Sequence, residues 1–431
     1  MVSEDFPMKT LFLSSVYPNP ASSVRGTFNR MLCHALNDVG EVRVVAPLPW
    51  PEVVAGMLKG KPALKRQSHS QAECPESSVD GDKVRVERPV FFYPPKVLRH
   101  HYGRFMWSSV RKTVERVTAD FRPDWVISYW AHPDGDAGVR AARMLGAKSA
   151  VIIGGSDVLL LSKEPKRCEQ IKRVLRVSDA VLAVCDGLRG RAIELGAAPE
   201  RVHRLYQGID PEVFYQDDRA AARARLNLSL IDPAFVWVGR MVGVKRLDVL
   251  IEAFDRVVRQ RPAAKLYLLG EGAAEQPVRQ LVEKRGLSES VIFVGSVQQS
   301  ELPDWYRAAD ATLLSSESEG LPNVLRESLA CGTPWVSTNV GSVEEIAAAD
   351  HSIIVPVGDV AALADGILQI LEPLYRIGAA AYHAKTWSDT AAKLQRLLSG
   401  DCVASATSFD VDSTSVGAKP VLVGSSQEVL S

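Results

Sequence analysis

Apolar residues recur along this chain in two alternating rhythms. Short runs rich in β-branched and aromatic residues occupy 10–16, 41–46, 125–129, 150–153, 180–184, 235–239, 265–270, 291–295, 311–315 and 335–338. Stretches with helical spacing lie between them, as at 247–258 and 277–284. Continuous apolar runs suit strands covered on both faces, and parallel strands joined by helices bury their sheets that way. The pattern predicts an α/β chain with parallel sheets. Residues 205–233 break the alternation: Gln207-Gly-Ile-Asp-Pro211 is turn-rich, an Ala/Arg helix follows, and Asp232-Pro233 closes the stretch. This reads as the junction of two doubly wound halves, and a cleft between two such halves is a standard place for a ligand.

Composition narrows the picture by exclusion. The chain has 431 residues, 46% hydrophobic and 24% charged, which is ordinary for globular domains. Lys plus Arg equals Asp plus Glu at 51, so net charge points to neither nucleic acid nor an acidic polymer. Six scattered cysteines without a C-x-x-C pair argue against a zinc site or disulfide framework and fit a reducing cytosol. The start, MVSEDFPMK, lacks the basic flank and apolar core of a signal peptide, and no run approaches eighteen apolar residues. Residues 400–431 are rich in Ser, Thr, Val and Gly without a sustained period, and a disordered tail is expected there.

Charge is uneven in one place. From Arg85 to Arg116 eight Lys and Arg face two Glu, interleaved with Phe91, Phe92, Tyr93, Tyr102, Phe105 and Trp107. Cations with aromatics suit an anionic lipid interface. A solvated helix with one apolar face on the core gives the same pattern.

Candidate chemistry clusters at strand ends. The run Glu319-Gly-Leu-Pro-Asn-Val-Leu-Arg-Glu327 sets two carboxylates eight positions apart. One lies in a Gly/Pro loop and one a turn inside the following helix. Pro322 suits the first turn of that helix, Asn323 its cap, and Gly332 its end. Free amides at the start favour an anion, usually phosphate. Glu327 could then take hydroxyls on one side of the anion and Glu319 hydroxyls on the other, the layout of ribose, diphosphate and sugar. Two ordinary helix glutamates are the plainer reading of the motif alone. Gly239-Arg240-x4-Lys245 puts two cations just beyond a strand, and Arg with Lys suits a diphosphate. Leu269-Gly-Glu-Gly272 lacks the third glycine of a dinucleotide fingerprint and reads as a turn. In the first half, Gly26 would let backbone approach a ligand at a helix start, and His132 follows a strand, aimed at the crevice. Asp157 in Gly154-Gly-Ser-Asp157 either caps the next helix or holds an acceptor.

Taken together, in this order and spacing, these motifs resemble the retaining glycosyltransferases of family 4, the glycosyl transferases group 1, with the two-Rossmann GT-B fold. The resemblance covers about residues 8–396 and is closest to members that build cell-surface polysaccharides. Its markers are Glu319-x7-Glu327 with Gly332-Thr-Pro334 beyond it, Gly239-Arg240-x4-Lys245 before Leu250-Ile-Glu-Ala-Phe254, and Gln207-Gly-Ile-Asp210 at the junction. Gln207 stands where Asn is common, and Gly341-Ser342 where Gly-Gly is common.

The resemblance implies two Rossmann-like domains facing across a cleft. An N-terminal acceptor-side domain would span 8–205, a hinge 206–232 and a nucleotide-sugar domain 233–377, with helices at 378–399 returning to the first domain. It implies that Arg240 and Lys245 bind the donor diphosphate. Backbone at Leu321, Pro322, Asn323 and Val324 would support phosphate and sugar. Glu327 would hold the ribose, Glu319 the donor sugar, and Val297 the side of the nucleobase. Gly26 would lie by the phosphate and His132 would reach the sugar. It further implies transfer of a hexosyl group to a cell-surface glycan or lipid-linked acceptor with no metal or cofactor; the cysteines suggest a cytoplasmic enzyme, and the basic aromatic stretch a peripheral contact with an anionic membrane. Its rivals are an inactive nucleotide-sugar-binding relative, or an epimerase or phosphorylase of the same fold.

Overall fold

A computed structural model of the protein describes residues 7–19, 25–58, 83–399 and 421–422. Within these, the chain forms two compact units. One runs to Gly208 and takes back the helix from Trp387; the other comprises Ile209–Thr386 and a short strand at Val421–Leu422.

Each unit is built on a parallel seven-stranded sheet, and the two sheets share one strand order. In the first, strand Lys9–Leu13 lies between Glu41–Val45 and Trp125–Tyr129. Arg85–Glu87 extends one edge, and Lys148–Ile153, Ala180–Ala183 and Val202–Arg204 extend the other. In the second, Ala234–Val238 lies between Lys265–Leu269 and Ala311–Leu314. Val291–Gly295 extends one edge; Trp335–Thr338, Ser352–Val355 and Val421–Leu422 extend the other. In both, strand order reverses at the unit's first strand. Loops leaving the carboxyl ends of that strand and its later neighbour therefore open side by side, the switch point where α/β sheets take ligands.

Every strand expected from the sequence is present, with ends displaced by at most a few residues. The strands at 85–87, 202–204, 352–355 and 421–422 of the two large sheets had not been expected. Three of them are only two or three residues long, too short to give a pattern. The cores follow from the runs that produced the strands. Leu11, Leu13, Val126 and Phe121 pack with Val110 and Val114 in the first unit; Phe235, Trp237, Leu268 and Ile353 pack with Phe254 and Leu363 in the second.

Two expected boundaries differ from the structure. Most of the stretch read as a hinge packs into the second unit: helix Arg219–Arg225 is capped by the Asp218 carboxylate, which accepts from the amides of Ala220 and Ala221. From this helix the buried Arg223 reaches Asp310 at 2.9 Å, and Asp310 also accepts the amide of Ala234 at the base of the switch strand. Of the two C-terminal helices, only Trp387–Ser399 joins the first unit, where it packs on helix Thr27–Asn37; Pro373–Ala381 belongs to the second. The expected tail lies outside the described residues except for 421–422.

Of the two readings of the aromatics at 85–116, packing against the core accounts for most of them. Phe91 is buried, and Tyr93, Tyr102, Phe105 and Trp107 pack against the core with it. Tyr102, Phe105 and Trp107 alternate with cations on an amphipathic helix, Tyr102–Val117, with its apolar face inward. Only Phe92 of that set is exposed.

Candidate active site

In the second unit the switch strand ends at Val238, and the loop to the next helix carries Arg240 and Lys245. Turn 270–272 holds this loop in place: the amide of Met241 donates to the carbonyl of Glu271, and the amide of Ala274 to that of Met241. Residues 269–272 are thus the structural turn expected. Arg240 is exposed and has no ion-pair partner among the described residues. Lys245 turns inward, and its Nζ donates to Glu319 Oε1 at 2.5 Å, with four fifths or more of both side chains covered.

Glu319 sits in the neighbouring loop, which leaves strand Ala311–Leu314. The buried hydroxyl of Ser316 also donates to its Oε1, at 2.7 Å. Ser315 ties the two loops together by donating to the carbonyl of Lys245 at 2.8 Å, and the amide of Glu317 donates to Val244 O. A third loop completes the anchorage. Gly341 has φ 57°, and a Cβ there would lie 2.2 Å from the carbonyl oxygen of Gly320, so only glycine fits. The next amide, of Ser342, donates to that same carbonyl.

Helix Asn323–Ala330 follows, with Pro322 rather than Asn323 in the cap position and no side chain capping it. The leading amides of such a helix have no acceptor within it. Glu327 lies a turn in, and Glu327 Oε2 accepts from the hydroxyl of Tyr306 at 3.0 Å. Burial pushes the Glu327 carboxyl up to about 7, against the opposing pull of the Tyr306 hydroxyl and the Arg326 charge. The two carboxylates therefore share a design: one oxygen is fixed by protein donors, and the other has no protein donor among the described residues. Val297 lies just past strand Val291–Gly295, partly buried against the cluster that contains Tyr306 and Leu269.

In the first unit the equivalent loops carry Gly26 and His132. Gly26 has φ 74°, and a Cβ there would fall 2.4 Å from Val16 O, so close packing of the loop on itself demands glycine. It precedes helix Thr27–Asn37 as expected. His132 is fully buried with neither ring nitrogen hydrogen-bonded. Burial, reinforced by the Arg167 charge, pulls it down to about 4, so it is neutral at ordinary pH. Asp134, two residues on, accepts the amide of Ser15; burial pushes its carboxyl up to about 6. Asp157 accepts the amides of Gly154 and Gly155 at one oxygen and of Ala131 at the other. Both oxygens are committed to backbone amides that precede the helix, so Asp157 neither caps helix Ser156–Leu159 nor keeps an oxygen free for an acceptor; it braces the loop instead.

Sequence reasoning found the charged residues and missed what fixes them. Ser316, directly after a strand end and three positions before Glu319, was a readable signal. Tyr306 gave none, because it reaches Glu327 from a different helix, Leu302–Ala308.

Known proteins agree with this architecture. The model of the glycosyl transferase 4-like domain matches residues 26–208, and that of the glycosyl transferases group 1 matches 218–376. The chain is 27% identical over 292 residues to an N-acetyl-alpha-D-glucosaminyl L-malate synthase of Bacillus anthracis, spanning 67% of this chain and 73% of that protein. It is 28% identical over 365 residues to the putative teichuronic acid biosynthesis glycosyltransferase TuaC of Bacillus subtilis, spanning 84% and 88%. Among solved structures, sucrose-phosphate synthase from Thermosynechococcus elongatus superposes with a TM-score of 0.70 at 20% identity, over 91% of this chain and 98% of that one. Anabaena HepE, solved in complex with UDP and glucose, superposes with 0.65 at 16%, over 91% and 99%. With the two models matched in tandem over most of its length, the chain belongs to the group 1 glycosyltransferases of family 4, and its paired Rossmann-like units are the GT-B fold.

Proposed function

We propose that this glycosyltransferase moves a hexosyl group from a nucleotide-diphosphate sugar, with retention and without a metal, to a cell-surface glycan or lipid-linked acceptor. The observation that carries the reading is the half-anchored state of Glu319 and Glu327 beside an uncapped helix start. A carboxylate fixed at one oxygen and open at the other is an acceptor ready for a sugar hydroxyl. The flanking cations and amides are the counter-charge a diphosphate needs. The names of the relatives support the rest: one is named a putative teichuronic acid biosynthesis glycosyltransferase, and a structural neighbour was solved with UDP and glucose.

In this reading Lys245, Arg240 and the amides at 321–324 stabilise charge on the departing diphosphate. Glu327 orients the ribose, Glu319 orients the sugar, and Val297 lies by the nucleobase. Gly26 and His132 keep the phosphate and sugar roles that the family resemblance implies. The acceptor hydroxyl loses its proton to the leaving phosphate, so no covalent nucleophile is required. Lys245 is already paired with Glu319, and phosphate would recruit that cation from a preformed position. The test is a thermal-shift screen of UDP-, GDP- and ADP-sugars in EDTA, followed by turnover with the donor that binds. Stabilisation by one donor class and turnover undiminished by EDTA are expected. Loss of activity in EDTA removes the metal-independent mechanism, and silence toward every donor removes the donor assignment.

A further inference from the structure

Loop 92–99 of the first unit exposes apolar side chains together with unpaired cations. Its base is clamped. The Tyr93 ring lies 4.7 Å from those of both Phe91 and Tyr102; the Tyr102 hydroxyl donates to Pro94 O at 2.8 Å; Trp50 Nε1 donates to Tyr93 O at 2.7 Å. At the far end, the amide of His101 returns to Leu98 O, and Arg99 pairs with Glu164 at 2.9 Å. Between these clamps the tip faces out: Phe92 is 63% exposed, Val97 57% and Leu98 52%.

The tip is also held at a cost. Lys96 has φ 67° and Leu98 φ 51°, a left-handed region that non-glycine residues enter only at a conformational cost. Leu98 takes that conformation with about half of its surface left exposed.

The unpaired charges named around the tip have one sign. The Arg99–Glu164 pair brings the loop beside 160–166, which adds Leu160, 57% exposed, and the exposed Lys163 and Lys166. Lys96, Lys163 and Lys166 have no ion-pair partner among the described residues, and the nearby Glu164 is held by Arg99 and Arg167. Another exposed apolar pair, Leu230 and Ile231 in the second unit, shows the contrast. It is flanked by Asp232, and the neighbouring Arg223 and Arg225 are bound to Asp310 and Asp304.

We propose that loop 92–99, with Leu160, Lys163 and Lys166, docks the first unit on an anionic lipid bilayer. Val97 and Leu98 enter the acyl boundary, and the three lysines meet acidic headgroups. Rigid apolar tips ringed by unpaired lysines suit a lipid surface, where a chain and a charge act at different depths. No helix among the described residues is long and apolar enough to cross a membrane, so the contact is peripheral. The inference deepens the lipid-proximal acceptor of the preceding section, but vesicle binding is measured without donor or acceptor, so either can fail alone.

The experiment is co-sedimentation of the full 431-residue chain with vesicles of phosphatidylcholine alone or with 30% phosphatidylglycerol. Wild type should bind the mixed vesicles, release in high salt, and ignore the neutral ones. V97S with L98N, asparagine being tolerated at φ near 50°, should lower the partition about tenfold, since two buried side chains are removed. Each of K96Q, K163Q and K166Q should lower it about fivefold, the equivalent of about 1 kcal/mol per cation at such a surface. I231N is the control and should bind as wild type does. Thermal unfolding of each variant at the wild-type temperature separates lost docking from lost folding. No binding by wild type, or binding that V97S/L98N leaves intact, overturns the proposal, as does protection of this loop by a protein partner in place of lipid.

Discussion

The two units share a strand order and a switch point, yet they treat carboxylates there in opposite ways. In the first unit Asp157 binds three backbone amides through both of its oxygens, so it shapes the loop that carries it. In the second, Glu319 and Glu327 are held by side chains, Lys245, Ser316 and Tyr306, each at one oxygen. A carboxylate saturated by amides is part of the scaffold. A carboxylate fixed at one oxygen is a tool, because its position is set while its acceptor capacity remains. Topology places both kinds at the same spot, and only the identity of the anchor distinguishes them.

The largest expected effects break the second unit's side of this contrast. Lys245→Ala and Glu319→Ala should each cut turnover by about a hundredfold or more, as removal of a charge-stabilising group does. Each also leaves its partner a largely covered charge without its ion pair, so donor affinity should fall with turnover. Near-wild-type turnover in either would sink the site assignment.

Asp157→Asn probes the other side. It keeps the shape but loses charge-assisted bonds to three amides, and about 2 kcal/mol of unfolding stability should go with them. Donor affinity should hold. If denaturation is unchanged while donor binding collapses, Asp157 is no scaffold and the contrast between the units is wrong.

How much of this was legible in the sequence follows from the range of each interaction. The strands, Arg240, Lys245, Glu319 and Glu327 were readable because periodicity and strand-end position are local signals. The anchors were not. Tyr306 meets Glu327 across 21 positions and from another helix, and Ser316 matters only because Lys245, over 70 positions away, shares its target. The alternation of cations and aromatics at 85–116 left two readings open for a related reason. It records which side of a helix is apolar, and only the fold tells whether that side meets core or solvent. The docking loop was hidden for the same reason: Val97 and Leu98 read as ordinary apolar residues until their exposure is known.

Tyr306→Phe sharpens the claim about anchors. It removes one hydrogen bond to Glu327 and no volume beyond a hydroxyl oxygen. Donor dissociation constants should rise about fivefold, equivalent to about 1 kcal/mol, with catalytic rate at saturation nearly unchanged. A donor with a deoxyribose in place of ribose should be insensitive to the substitution, because the anchored carboxylate then has less to hold. Equal losses for both donors would make Tyr306 a packing residue only.

The smallest effect is a pH slope, and its sign tests whether Glu327 is strained by its site. An unfolded glutamate releases its proton near 4.5, whereas folded Glu327 holds it to about 7. Between these values the native state binds a proton the unfolded chain has lost, so stability falls as pH rises through the window and the cost is complete above about 7. The full shift at about 1.4 kcal/mol per pH unit is an upper bound; Glu327 is only partly buried, so about 1 kcal/mol is expected. His132 tilts the opposite way, losing stability as pH falls from about 6.5 toward 4, which masks the slope in wild type. Subtraction removes the mask. Glu327→Gln keeps an acceptor for Tyr306 and cannot ionise, so it should equal or trail wild type at pH 4.5 and exceed it by about 1 kcal/mol at pH 8, while binding donor more weakly. Parallel stability curves for the two proteins would mean that Glu327 is comfortable when ionised, and that the second unit bears no cost for keeping an acceptor half free.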